Sequence, residues 1–357
     1  NRASMIIAAT PNDMTLLPPE LVGGRGLTAK TVCHIGPMHD DGGMAAVIDS
    51  ISSMDIEGWT SLCLNSYNRN PFWSRLSLVP TVLNKLSTSL KKQNLDAVHI
   101  HVTHGMSWFR KHFFIRWCIK KNVPLILHIH SGRPQAVIRK AMRILDKTED
   151  SDLVKVVVLE NRWLDYFPPD YRKRVSIIHN APRPLFASNP RLNENLTFGI
   201  FCRPVKHKRH DIALEALKAL RKKGIQVKMI ATGNPFDDPP NWVEQHGWVS
   251  THDLRIIMEQ CRFLLQTSQS EGSSMSVIEA ISMGLLPIVS EASSETVGSH
   301  GVVVKGEDPL EWASIIEREI IRIQGNKNGA KELKNPYDRA EIAAAWRTIY
   351  DSSVHQG

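Results

Sequence analysis

From residue 31 onward the chain alternates short runs rich in Val, Ile and Leu with longer stretches that carry apolar residues at helical spacing. Runs of this kind fall at 31–36, 59–65, 96–102, 124–130, 154–159 and 175–179, and again at 196–202, 227–232, 262–268, 284–290 and 302–304. Short runs broken by helical stretches read as strands of a parallel sheet, buried on both faces and joined by helical crossovers. Helices are predicted over 44–54, 78–92, 107–121, 161–167, 211–222, 251–261, 310–323 and 340–350, with one more opening near residue 273. The Pro-studded segment from Asn180 to Pro184 and the polar run to Asn195 separate the two groups of runs and read as a linker. The expected architecture is α/β: two doubly wound, Rossmann-like domains facing each other across a cleft. A length of 357 residues suits two such cores. The divisions drawn are an irregular extension over 1–30, a first domain over 31–185, a second over 186–335, and a terminal helix over 336–357.

Bulk properties narrow the partners only a little. A net charge of +8 and a pI near 9.2 suit nucleic acid, anionic lipid or a phosphorylated small molecule equally. Cys33, Cys63, Cys118, Cys202 and Cys261 stand singly, without a Cys-x-x-Cys pair, and read as reduced core residues of a cytoplasmic protein. No apolar run approaches the ~20 residues that span a bilayer, so membrane contact is expected to be peripheral. In the stretch 107–121, Phe109, Phe113 and Trp117 recur at i, i+4, i+8 and are expected to face the core. The alternative is a helix lying on anionic lipid with its aromatic residues in the interface.

Two strands carry paired histidines on one face, His99 with His101 and His128 with His130. Zinc hydrolases present ligands at this period, but no acidic ligand follows at close spacing and the strands read as interior ones, so core histidines and no metal are expected. Gly42 and Gly43 end the first strand and open a helix, a geometry that lets backbone approach a phosphate.

The strongest chemical signal is Glu271-Gly-Ser-Ser-Met-Ser-Val-Ile-Glu279. It lies between two strand-like runs, so Glu271 falls at the carboxyl edge of a sheet, where ligands of such folds gather. A helix opening at Ser273 or Ser274 points free N–H groups at an anion. Two acids flanking an anion site do not bind the anion, and they fit instead as acceptors for sugar hydroxyls on either side of a diphosphate. Arg203 and Lys208, in the basic segment 203–210 at another strand-to-helix edge, supply the countercharge: a planar fork and a compact ammonium. The same segment read alone suits a solvated surface or a nucleic-acid patch; no nucleic-acid partner is expected.

These residues resemble the GT-B glycosyltransferases of the family-4 type, the retaining group with the E-x7-E motif. The resemblance rests on Gly42-Gly43, His130-Ser131, Asn180, Arg203 to Lys208, Thr232-Gly233, Gly247-Trp248-Val249, Glu271-Gly272 to Glu279-Ala280, Gly284 with Pro287, and Glu295. It covers about residues 31–350, and its most specific part is 266–289. Ser293-Ser294 stands where the family often has Gly-Gly, and Arg209 stands where a glycine is common. The resemblance implies metal-independent transfer, with retention, of a sugar from a UDP- or GDP-sugar to a glycan, lipid-linked or small-molecule acceptor. It implies no cofactor, the nucleotide-sugar being the donor substrate, and a cytoplasmic protein with possible contact to the inner membrane face. Arg203 and Lys208 would stabilise the departing diphosphate, Glu279 would hold the ribose and Glu271 the transferred sugar. The amides of Ser273 and Ser274, after Gly272, would meet the diphosphate, and Gly42 and Gly43 would approach it from the other domain. His130 would reach the sugar near the reacting carbon, Gly233 and Trp248 would border the nucleotide, and the helix around Trp346 would cross back onto the first domain. Two competing readings are a sugar-nucleotide epimerase of the same shape and a non-catalytic subunit that retains the fold.

Overall fold

A computed structural model describes residues 29–38, 42–68, 76–148, 150, 152–186, 195–325 and 335–354. The extension expected over 1–30 lies outside them except for its last two residues, as does the linker segment 187–194.

Strands β1 (Lys30–Gly36), β2 (Trp59–Asn65), β3 (Ala97–Val102), β4 (Leu125–Ile129), β5 (Val154–Val158) and β6 (Val175–Ile177) form one parallel sheet in the order β2-β1-β3-β4-β5-β6. Its crossovers include helices α1 (Gly43–Ser52), α2 (Leu78–Lys91), α3 (Met106–Lys121) and α4 (Gln135–Leu145). The second sheet contains β7 (Thr197–Ile200), β8 (Lys228–Thr232), β9 (Val243–His246), β10 (Phe263–Gln266), β11 (Leu286–Ser290) and β12 (Val302–Val304), ordered β12-β11-β10-β7-β8-β9, all parallel. Between them run α5 (His210–Lys222), α6 (Thr251–Glu259) and α7 (Met275–Ser282), and α8 (Pro309–Gly325) and α9 (Arg339–Ser353) follow. Strand order reverses between β1 and β3 in the first sheet and between β7 and β10 in the second, and such reversals open crevices at the carboxyl ends of the strands. The doubly wound α/β architecture is therefore as expected.

Interior strands are buried on both faces, as in β4, where every residue from Leu125 to Ile129 is buried. Helices take their phase from one apolar stripe: in α4 the buried positions are Val137, Ile138, Ala141, Ile144 and Leu145. Ser250 caps α6 by accepting from the Asp253 amide at 3.1 Å, and Asp338 caps α9 by accepting from the amides of Ala340 and Glu341 at 2.9 and 3.0 Å. Helix α9 lies on the first sheet rather than the second. Trp346 and Tyr350 are buried there, Trp59 Nε1 donates to Asp351 at 2.9 Å, and Arg339 donates to the Pro182 carbonyl at 2.6 Å.

Several expectations are corrected. Helix α3 is rotated from its expected phase: Phe109 and Phe113 are exposed, at 49% and 41%, and Trp117 is only half-buried, while Trp108, Arg110, Lys111, Phe114, Ile115 and Cys118 face inward. Lys111 is buried because its ammonium donates to the His101 carbonyl and, at 3.1 Å, to Ser107 Oγ. Burial pushes its pKa down to about 7. Cys63 is not a core residue; it is exposed on the edge strand β2. The helix expected over 161–167 is a 3-10 turn, Asn161–Tyr166. Helix α4 and strand β9 are further elements that the run-by-run reading did not assign.

Candidate active site

A cleft of about 2270 Å³ runs between the sheets. His130, Arg203, Lys208, Glu271, Glu279, Gly42, Gly43, Gly272, Ser273, Ser274 and Trp248 all line it, so residues from both strand-order reversals converge. Gly233 does not line it. At φ +85° it holds the turn after β8, and a Cβ there would meet Pro204 Cδ at 2.9 Å, so glycine lets the turn pack under the segment that bears Arg203.

Glu271 sits just beyond β10, at the mouth of the loop that enters α7. Its carboxylate Oε1 accepts from Lys208 Nζ at 2.5 Å and from Gln266 Nε2. Lys208 reaches it because the 203–209 segment is tied to the end of β10. Thr267 Oγ1 donates to the carbonyls of Lys208 and Arg209 at 3.0 and 2.7 Å, and the Gln269 amide donates to the His207 carbonyl at 2.8 Å. Arg209 is left-handed at φ +51°, which explains why glycine suits this position elsewhere, and its guanidinium is held by Asp211 at 2.8 Å. Arg203 stands exposed on the cleft wall.

Glu279 lies in the second turn of α7 and is 1% exposed. It makes a two-pronged ion pair with Arg183: Nε to Oε1 at 2.7 Å and Nη2 to Oε2 at 3.0 Å. Burial raises its pKa, and Arg183 opposes that rise. Arg183 also donates to Thr251 Oγ1 at 2.7 Å and lies over the Phe186 ring. Sequence reasoning missed Arg183, which sits in the segment read as a linker; the available signal was an arginine fixed between two prolines.

The first domain meets this loop at close range. A Cβ on Gly132 would lie 2.9 Å from the Glu271 carbonyl carbon, and one on Gly272 would lie 3.3 Å from the His130 carbonyl. Arg162 Nη2 donates to the carbonyls of Glu271 and Ala292 at 3.2 and 3.0 Å, and Trp163 Nε1 donates to the Gly272 carbonyl at 3.3 Å. Glu295 does not line the cleft. It faces the first domain, accepting from Asn161 Nδ2 at 2.8 Å and from the Arg162 amide at 3.1 Å.

His130 belongs to a larger array. The sheet register sets His34 beside His99 and His101 beside His128, and these four with His130 pack ring against ring. His101 Nδ1 lies 2.9 Å from His130 Nε2, His34 Nδ1 lies 3.3 Å from His101 Nε2, and His99 Nε2 lies 3.1 Å from His128 Nδ1. Burial holds all five well below the usual histidine pKa, His34 and His130 at about 3, so they are neutral imidazoles at neutral pH.

Residues 195–320 match the family described as glycosyl transferases group 1. An uncharacterized glycosyltransferase of Methanocaldococcus jannaschii is 21% identical over 73% of this chain and 77% of its own length. The GDP-mannose:cellobiosyl-diphosphopolyprenol alpha-mannosyltransferase of Xanthomonas oryzae pv. oryzae is 24% identical over 68% of this chain and 67% of its own. A glycosyltransferase from Rickettsia africae superposes with a TM-score of 0.58 at 16% identity, covering 92% of this chain and 95% of that one. The fold is GT-B. TarM of S. aureus, solved with fondaparinux, alpha-GlcNAc-glycerol and UDP, gives a TM-score of 0.53 at 18% identity over 78% of this chain. This chain spans 59% of that TarM chain. In this GT-B chain the family match coincides with the domain that carries Arg203, Lys208, Glu271 and Glu279.

Proposed function

We propose that the chain is a retaining glycosyltransferase of the family-4 type that moves a sugar from a nucleoside-diphosphate sugar to a membrane-borne glycan acceptor. The observation that carries this reading is the Lys208–Glu271 pair at the entrance to α7, facing His130 across the cleft. The amides of Ser273 and Ser274 and the positive end of α7 suit a diphosphate. Arg203 and Lys208 neutralise the charge that develops as it departs, so no divalent ion is needed there. Glu271 accepts from hydroxyls of the transferred sugar and Glu279 from the ribose, with Arg183 fixing its orientation. The ring of His130 meets the sugar beside the reacting carbon. Trp248, 44% exposed on the cleft wall, offers a face to the base. The GDP-mannose donor and diphosphopolyprenol acceptor in the name of the Xanthomonas relative, and the UDP bound by TarM, support this substrate class.

Donor binding stabilises the native state, so one of UDP, GDP or ADP raises Tm, equally with and without Mg²⁺. The variant Lys208→Ala is expected to raise Kd for that diphosphate roughly tenfold while leaving the parent nucleoside's unchanged. An equal loss for both ligands would remove Lys208 from the phosphate site.

The exposed face of α3 supports the membrane-borne acceptor. Met106, Phe109 and Phe113 are exposed there. Arg116, Lys140 and Lys147 stand close enough to His112 to lower its pKa, after burial itself. Apolar rings with a basic rim suit the surface of an anionic bilayer. Among the described residues no helix is long and apolar enough to cross a membrane, so contact through this face is interfacial. In flotation with phosphatidylglycerol vesicles, the double variant Phe109→Ser/Phe113→Ser is expected to reduce bound protein roughly tenfold. Unchanged flotation counts against this face as the docking surface.

A further inference from the structure

We propose that His101, His128 and His130 form a binding site for one divalent transition-metal ion of the imidazole-preferring class, represented by Zn²⁺ and Co²⁺. One ring nitrogen from each lies within 4.8 Å of the others. The remaining histidines account for the other nitrogens of two of these rings. His34 Nδ1 holds His101 Nε2 at 3.3 Å, and His99 Nε2 holds His128 Nδ1 at 3.1 Å. Both supporting rings are anchored in turn by hydroxyls, His34 Nε2 by Ser61 Oγ at 3.4 Å and His99 Nδ1 by Tyr350 OH at 2.9 Å. What this outer layer leaves over is His101 Nδ1, His130 Nε2 and His128 Nε2. The first two are 2.9 Å apart, and His128 Nε2 is buried with no hydrogen-bond partner.

A buried imidazole nitrogen without a partner is costly unless something supplies one. A metal ion supplies it for His128 Nε2 and takes the place of the His101–His130 contact. Zn–N bonds of about 2.0–2.1 Å in tetrahedral geometry set ligand nitrogens about 3.3 Å apart, against 2.9 Å for the His101–His130 pair and spacings within 4.8 Å for the set. Orientation of each liganding ring through its second nitrogen is the usual supporting arrangement at histidine metal sites. An all-imidazole set without carboxylates favours Zn²⁺, Co²⁺, Ni²⁺ or Cu²⁺ over Mg²⁺ or Ca²⁺. Entry is from the cleft, which His130 lines. The site departs from the core-histidine reading of the strands, and it is separate from the countercharge that Arg203 and Lys208 give a diphosphate.

The test uses the full chain, expressed without a histidine tag and dialysed against chelator, then titrated with Co²⁺ and with Zn²⁺. Expected are about one ion per chain, a visible Co²⁺ absorption band of tetrahedral type, and a Tm rise of about 5 °C at a hundredfold excess of Zn²⁺ over Kd. His128→Asn should abolish the band and the Tm rise, while His112→Ala and His252→Ala, at exposed histidines, should keep both. Should His128→Asn fail to fold, X-ray absorption of the Zn²⁺-loaded wild type decides, with three imidazole nitrogens expected. No bound ion, retention of the full signal in His128→Asn, or fewer than three imidazoles overturns the site. These readouts do not involve sugar transfer, so their failure is distinguishable from failure of the transferase reading.

Discussion

Replacing Glu271 by glutamine is expected to lower kcat roughly 10²- to 10³-fold, the scale on which a single positioned electrostatic group acts in a closed site. The substitution keeps the size of the side chain and removes its charge. Under the proposed function two things change together: the acceptor assigned to the sugar hydroxyls weakens, and Lys208, now held at 2.5 Å from Oε1, loses the anion that aims it. Because Arg203 and the amides of the α7 entrance do not depend on the Glu271 charge, Kd for the nucleoside diphosphate should move by no more than about threefold. Steady-state kinetics with isothermal titration separates the two effects. Equal loss of kcat and diphosphate affinity would show that Glu271 supports the phosphate site instead.

The second large effect is on stability, at Arg183. Removing one partner of a buried ion pair leaves the other uncompensated, at a cost of about 3–5 kcal/mol. Arg183→Met is therefore expected to lower Tm by roughly 10 °C near pH 8. The sign of the pH dependence follows from Glu279, whose pKa burial already raises above the ordinary value of 4.5 even with Arg183 present. A raised carboxyl favours the fold fully at pH below its unfolded value and loses that contribution as pH climbs through the folded one. Without Arg183 the folded value rises further, so the deficit in Tm should shrink toward pH 5, where Glu279 takes up a proton. Thermal melts of Arg183→Met and of Arg183→Met/Glu279→Gln across pH 5–8 measure this. A deficit that is flat with pH would mean that the arginine acts through Thr251 and Phe186 alone.

The contrast between Glu271 and Arg183 marks how much of this molecule the sequence carries. The runs of Val, Ile and Leu announce the strands because a strand buried on both faces admits little else, and observed β2 and β12 coincide with the expected runs. The acids at 271 and 279, with Arg203 and Lys208, were legible because they fall at strand-to-helix edges, and the cleft does gather them. Arg183 was not legible, since its partner is 96 residues away and its own neighbourhood carries only turn signals. Helix α3 failed for a related reason. Its sequence holds two overlapping stripes, and the one that is buried includes Lys111, which periodicity counts as polar. Contacts that periodicity does not show, to the His101 carbonyl and Met44 of other elements and to Ser107, make that position an interior one. Helix α4 carries a legible stripe at 137, 138, 141, 144 and 145, set between two stronger strand signals.

The meeting of Gly132 with Glu271 and of Gly272 with His130 is made by main chain against main chain. Side chains differ in length and can be trimmed or swung aside, whereas the thickness of a peptide backbone is the same whatever the neighbouring residues are. The two loops therefore act as a mechanical stop, and the width of the cleft at this point is set by a ruler that substitutions elsewhere on its walls leave unaltered. A single added methyl at either glycine recalibrates that ruler for every substrate at once.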